Sequence, residues 1–321
     1  MKIAVLANLK AGGGGKAAAV LQKIAGAWSA HELLAAAGFG GEQLPRCIFP
    51  EEAEGYVPRL NAAVRALLSA GPDLLVTVGG DGAAAYAAEC VIAEGSKVPL
   101  LGIGAGTANV GPIVSFGAEE LPDPDSLAEI SLGAVEARDV QGRHIAYGFN
   151  DIVIGNTFLG TSAEGETRTF SGRELAAFGR LTEEAPVKDL FRGPSSMSLN
   201  GRALAAPPYR AAQMVVSPVE PDNFYGRAYT GILCFTPGSE FKAAVYLGPN
   251  PVVSMEDDDA GISCFRTGGQ LLLTEKDSLR LDHLNDNVCA VADGNPYLLP
   301  EGSVTLQYVP DVIRVLKRRR L

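Results

Sequence analysis

Residues 74–82, Leu-Leu-Val-Thr-Val-Gly-Gly-Asp-Gly, run an apolar strand straight into a glycine turn that holds one carboxylate. Leu74 to Val78 is short, β-branched-rich and apolar, as expected of a strand covered on both faces, and Ala83 to Ala93 reads as a small-residue helix. Asp81 therefore lies at a strand-to-helix switch. Gly79, Gly80 and Gly82 allow positive φ and put no Cβ in the way, so a polyphosphate can approach backbone amides at the helix N-terminus. A bare carboxylate would repel that phosphate. The conflict is resolved if Asp81 binds a divalent cation carried by a nucleotide, or accepts a proton from an attacking hydroxyl. The alternative is an Asp that caps the helix.

The surrounding pattern alternates strand and helix. Strands are expected at 2–8, 45–49, 74–78 and 98–103, with helices near 16–37, 52–70 and 83–94, which is a doubly wound α/β order with ligands at the carboxyl ends of the strands. The glycine-rich turns after 2–8, 74–78 and 98–103 all fall at that edge. Two tempting motifs fail: the run ending at Gly15-Lys16 lacks a glycine at position 10 and is followed by Ala17, and Gly102 to Gly106 lacks dehydrogenase spacing.

After the Pro- and Asp-rich break at 121–125, a short helix is expected before the texture changes near 133. From there short alternating runs at 144–154, 196–204, 211–217, 228–235, 242–247, 262–265, 270–274, 287–291 and 303–308 suggest a mainly β, sandwich-like domain. A helix at 171–184, capped by Ser171 with Glu174 at its third position, is the exception. The expected organisation is an α/β domain at 1–132, a mainly β domain at 133–308, and a segment 309–321 returning to the first.

Composition narrows the chemistry. A chain of 321 residues favours two domains, and its formal charge of −10 argues against general binding of nucleic acid or anionic membrane. The apolar stretch 17–37 is broken by Gln22, Lys23, His31 and Glu32, so neither a membrane span nor a secretory signal fits, and a cytoplasmic location is expected. Five scattered cysteines read as reduced, mostly buried thiols, and the three histidines have no metal spacing. Three charged groups are expected on the surface: the acidic run 256–259, the tail Lys317 to Arg320, and Arg168, Arg173 and Arg180 paired with Glu166, Glu174 and Glu183.

Gly79-Gly80-Asp81-Gly82 resembles the signature of the NAD kinase and diacylglycerol kinase superfamily, and further segments follow in the family's order. Asn8 to Lys16 looks like the opening Asn-Pro-x-x-Gly-x-Gly-Lys, with Leu9 in place of Pro. Gly106-Thr107-Ala108-Asn109 is similar to the Gly-Thr-x-Asn loop of the diacylglycerol kinase branch, and Asn150-Asp151 to the Asn-Glu motif of NAD kinases. Asp293-Gly294-Asn295 resembles the closing Asp-Gly segment. Ala83 replaces the Thr usual in NAD kinases, and Asn295 the Glu usual in lipid kinases. The chain looks most like the divergent ATP-NAD kinase-like group, related to a protein encoded with acetoin-catabolism genes.

The resemblance implies an NAD kinase-like two-domain fold and ATP-dependent transfer of a phosphoryl group to a hydroxyl of a small soluble acceptor, with NAD or an NAD-like nucleotide the first candidate. In that scheme Asn8, Gly13, Gly14, Gly15, Gly79, Gly80, Gly82, Gly106, Thr107 and Asn109 hold nucleotide and phosphate. Asp81 orients or deprotonates the acceptor hydroxyl, directly or through Mg²⁺ carried by the phosphates. Asn150 and Asp151 contact the acceptor, and Asp293 is a further candidate whose alternative is a turn residue before Gly294. Relatives suggest a homo-oligomer, dimer or tetramer, with no nucleic-acid partner and no stable membrane association. The rival readings are a diacylglycerol- or sphingoid-type lipid kinase and a nucleotide-binding regulator without catalysis.

Overall fold

The computed structural model describes residues 1–9, 11, 15–106, 109, 111–162, 166–219, 240–250 and 268–319. The expected strands at 228–235 and 262–265, the acidic run 256–259, Cys234 and Cys264 lie outside the described residues. The chain divides into two compact units, Met1–Gly133 with Asp311–Leu321, and Ala134–Pro310.

The first unit runs β1 (Lys2–Ala7), α1 (Gly15–Ala27), β2 (Glu32–Ala36), β3 (Arg46–Ile48), α2 (Tyr56–Ser69), β4 (Leu74–Gly79), α3 (Asp81–Ala93), β5 (Leu100–Gly104) and β6 (Val114–Gly117), before β7 (Leu127–Arg138) leads out of it. The sheet order β3-β2-β1-β4-β5 is parallel throughout, with Ala4 between Leu34 and Leu75. One face packs on α1, where Val20, Leu21 and Ile24 meet Ile3, Val5, Leu74 and Val76. The alternate residues Ala4, Leu6 and Leu75 face the other way. Helices α2 and α3 pack together and against β1, β2, β4 and β5. Small residues, Ala84, Ala87 and Ala88, are the buried face of α3 and let it lie close. With helices on both faces, the central strands β1 and β4 are apolar except for Lys2 and Thr77.

Two expectations in this unit are corrected. The helix at 16–37 stops at Ala27, and residues 32–36 form β2 instead. Leu33 to Ala36 is a short apolar run that serves either state, and parallel pairing with β1, Lys2 opposite Glu32, decides for strand. The short helix expected after 125 is a single 3₁₀ turn, Pro124–Ser126, capped by Asp123 accepting from the Asp125 amide at 3.1 Å. The twelve-residue β7 follows.

The second unit contains β8 (His144–Gly148), β9 (Ile152–Gly155), β10 (Thr157–Thr161), β11 (Thr167–Ser171), α4 (Gly172–Phe178), β12 (Phe191–Leu199), β13 (Arg202–Ala203), β14 (Gln213–Pro218), β15 (Phe241–Gly248), β16 (Gly269–Thr274), β17 (Ser278–Leu284), β18 (Cys289–Ala292), β19 (Asn295–Leu298) and the start of β20 (Val304–Arg318). One antiparallel layer has the order β16-β15-β14-β9-β18-β19, and a second runs β13-β12-β17-β20. Their facing side chains form the core: Ile152, Ile154, Met214 and Val245 from the first, Phe191, Leu279, Leu281 and Leu306 from the second. The outer face of the first layer, Val153, Val215 and Val291, is covered by Phe158 and Phe170 of the β10–β11 hairpin and by Leu175 of α4.

Ser171 caps α4 by accepting from the Glu174 amide at 3.3 Å, but the helix ends at Gly179, whose φ of 67° is left-handed, seven residues in all. Arg168 pairs with Glu166 and Glu183 as expected, whereas Arg173 donates to the Asp286 carbonyl and Arg180 lies over the Phe178 ring. The basic tail is not simply solvated: Lys317 donates to the Pro112 carbonyl, and Arg318 pairs with Glu120 and covers Phe116. Cys47, Cys90 and Cys289 are free thiols, and burial pushes Cys289 up to about 12. Among the described residues no helix is long and apolar enough to cross a membrane.

Candidate active site

In the first unit the turns after β1, β4 and β5 meet at the carboxyl edge of the sheet. The Asn8 amide donates to the Val78 carbonyl at 2.8 Å, and the Ala105 amide donates to the Gly79 carbonyl at 2.8 Å, which ties all three turns together. The glycines permit this approach. A Cβ on Gly106 would lie 2.9 Å from the Gly80 Cα, and one on Gly104 would lie 2.7 Å from the Asn109 Cγ. Asn109 folds back to donate from Nδ2 to the Gly106 carbonyl at 3.2 Å, and its buried Oδ1 has no hydrogen-bond partner among the described residues.

Asp81 stands at the first position of α3. The N-cap position itself is Gly80, with extended φ/ψ, and Asp81 follows it in the first turn. Gly111 backs onto the Asp81 carboxyl group: a Cβ there would lie 3.0 Å from both Cγ and Oδ1. Sequence reasoning missed Gly111; its signal was another glycine in the turn already marked by Gly104, Gly106 and Asn109. Of the other expected phosphate residues, Gly15 opens α1 and Gly82 lies inside the first turn of α3. Gly13, Gly14 and Thr107 lie outside the described residues.

Beside Asn8 opens a cleft of about 1140 Å³, walled by Phe39, Phe49 and Tyr56 and rimmed by Glu51, Glu52, Glu54 and Arg59. It belongs wholly to the first unit.

In the second unit Asn150 and Asp151 form the turn between β8 and β9, and Asp293 holds that turn. Its Oδ1 accepts from the amides of Asn150 at 2.7 Å and Asp151 at 3.1 Å, and its Oδ2 accepts from Phe149 at 2.9 Å. The Asp293 amide returns a bond to the Asp151 carbonyl at 3.1 Å. Burial, with the nearby Asp151 carboxylate adding to it, pushes the Asp293 carboxyl up to about 8 against the pull of those amides. Asp293 sits at φ 48°, a left-handed conformation that Asp tolerates, just before Gly294 at φ 82°.

Two further residues shape this turn, and neither was singled out from sequence. Ser217 donates to the Asn150 carbonyl at 2.6 Å. Gly148 lets the chain double back, since a Cβ there would meet the Asp151 carbonyl oxygen at 2.5 Å. The Asn150 side chain donates to Asp151 Oδ2 at 2.9 Å, which leaves a compact polar tip of one amide and one carboxylate.

Among the described residues no three His, Cys, Asp or Glu side chains gather as a metal cage.

Residues 2–140 match the family described as the diacylglycerol kinase catalytic domain. No curated protein matches the sequence. Among solved structures, yeast NADH kinase complexed with NADH is similar at 12% identity and a TM-score of 0.56, covering 100% of this chain and 84% of that one. A diacylglycerol kinase from Bacillus anthracis str. Sterne is similar at 12% identity and a TM-score of 0.52, covering 98% of this chain and 96% of that one. At such identities the likeness is one of fold, and the α/β unit followed by a mainly β unit is the fold concerned. Residues 2–140 thus resemble a kinase-type catalytic domain, and the whole chain shares the two-unit fold of these structures.

Proposed function

We propose that this protein is an ATP-dependent kinase that phosphorylates a hydroxyl of a small polar acceptor, NAD or an NAD-like nucleotide first among them. The observation that carries the reading is the meeting of three glycine-bearing turns around Asp81 at the carboxyl edge of a parallel sheet. Backbone amides there suit phosphate oxygens, and the start of α3 adds the positive end of its dipole.

In this reading the turns at Asn8, Gly79–Gly80 and Gly106–Asn109 hold the phosphates, with Gly13, Gly14, Gly15, Gly82 and Thr107 proposed as their helpers. Mg²⁺, when bound, would neutralise charge on the transferring group. Asp81 accepts the proton of the attacking hydroxyl or aligns it. The aromatic cleft beside Asn8 suits the base and ribose of the nucleotide, because its glutamates would repel phosphate and are harmless to a neutral ring. Asn150 and Asp151 are assigned to the acceptor: an amide and a carboxylate offer the donors and acceptors that a polyhydroxylated molecule needs. Asp293 acts through them as a positioning residue.

The lipid-kinase reading keeps the same phosphate machinery, and the family matched by residues 2–140 favours it. The two are separated by incubating the protein with ATP, Mg²⁺ and a panel of NAD, NADH, simple polyols and diacylglycerol, and analysing products by mass spectrometry beside an Asp81→Asn control. Phosphorylated NAD that vanishes in the control supports the first reading. Phosphatidic acid would replace it, and retained activity in the control would overturn the role of Asp81.

A further inference from the structure

In the second unit the two β layers part at one end and leave an apolar cavity of about 700 Å³. Its walls come from both layers: Met214, Leu247 and Leu271 from one, Met197 and Leu279 from the other, closed by Leu204 and the segment that follows. Met214 and Leu279 are each about 1% exposed, so the cavity reaches core side chains. Protein interiors seldom leave space of this size unfilled, and the volume lies in the range of small-molecule sites, roughly 300–1,000 Å³. Among the described residues no charged side chain lines it.

The cavity is separate from the Asn150–Asp151 turn. Both involve β14, but Met214 faces the cavity while Ser217 bonds the Asn150 carbonyl, and three residues of strand span roughly 10 Å.

A second, polar cavity of about 630 Å³ shares Pro207 and Tyr209 with the first. Tyr209 is fixed between them by donating to the Leu247 carbonyl at 2.8 Å, and Gly269 makes room for it, since a Cβ there would lie 3.0 Å from the hydroxyl. The polar cavity is lined by Arg192 and Arg210 against one carboxylate, Asp189. Arg210 is paired with Asp189 at 3.3 Å and Arg192 with Asp286 at 2.6 Å. A guanidinium carries five N–H donors, so each keeps some for a ligand.

We propose that the paired cavities bind an anionic amphiphile, its aliphatic chain between the β layers and its single carboxylate or phosphate head against Arg192 and Arg210. An aliphatic chain matches a dry wall of Met and Leu, and a planar guanidinium matches either head group. This site is independent of the kinase reading and survives its failure.

The test is a fluorescence titration of the full chain with cis-parinaric acid below its micellar concentration, followed by competition with dodecanoate, dodecyl phosphate and dodecanol. Saturable binding is expected. Ala205→Trp, at an exposed rim position, and Leu271→Trp should each weaken it at least tenfold by filling the cavity, and the rim variant carries little folding risk. Arg210→Gln should weaken dodecanoate or dodecyl phosphate roughly tenfold while leaving dodecanol unchanged. Whichever of the two anions competes better identifies the head group. Absence of saturable binding, or unchanged binding in both tryptophan variants, overturns the site; equal effects of Arg210→Gln on dodecanol and the anions overturn the placement of the head.

Discussion

The glycine-rich edge of the first unit, where phosphate binding is proposed, and the Asn150–Asp151 turn of the second are built by opposite means. Around Asp81 the chain is shaped by what is missing: glycines let the turns after β4 and β5 approach closely, and the N-cap of α3 is itself a glycine. Around Asn150 it is shaped by what is added, a buried carboxylate gathering three amides from a segment 142 to 144 residues earlier in the chain. A site made by omission tolerates no added atom, whereas a site made by a clamp depends on one residue's chemistry and charge.

The strongest way to break the contrast is at Asp81. Asp81→Asn should lower turnover by about 10²- to 10⁴-fold, the usual share of a general base, with nucleotide binding retained in calorimetry. Unaltered turnover would return Asp81 to a mere helix-terminal residue.

Next in size are the Asp293 variants. Asp293→Ala loses three amide bonds and must hold a left-handed φ, so its unfolding free energy from urea titration should fall by several kcal/mol, about 1–2 of them from the backbone alone. Asp293→Asn tolerates that φ and keeps one acceptor oxygen, and should lose only about 1–3 kcal/mol. Because the folded carboxyl sits at about 8, above its ordinary value, the native state holds a proton that the unfolded chain has released over roughly pH 4–8. Its contribution to stability is therefore present at low pH and lost as pH rises through 8. Urea titrations across that range should show the decline in the parent chain and a flatter profile in Asp293→Asn.

Gly106→Ala should sharpen the contrast from the other side. Its methyl meets backbone at Gly80, which cannot swing away, so nucleotide affinity should fall on the order of tenfold while acceptor KM is unmoved. The smallest effect is expected of Ser217→Ala, about 1 kcal/mol from the lost bond to the Asn150 carbonyl, read by thermal melting.

The same contrast explains what was legible in the sequence. The parallel sheet and its glycine turns are local signals, since an apolar run, a glycine and the start of a helix stand side by side at 74–82. The α/β and mainly β classes follow from such patterns. The β2 strand was misread because four apolar residues after a helix carry no period of their own, and only pairing with β1 decides them. The grip of Asp293 on Asn150 was invisible for a like reason: nothing near residue 150 announces a partner near 293. Strands β10 and β17 were passed over too, the former lying in a run of Thr and Gly whose alternation is weak.

Strand β20 reaches further than its fifteen residues suggest. Its first part pairs with β17, while Val315 pairs with Leu100 of β5. As the chain emerges during synthesis, the first unit must hold the Leu100 end of β5 open until some two hundred more residues have been made, a long wait for a contact of such high order. Folding of the α/β unit is thereby made to finish after the β unit has been produced, so that a chain stopped before residue 311 leaves the Leu100 end of β5 unpaired on that side.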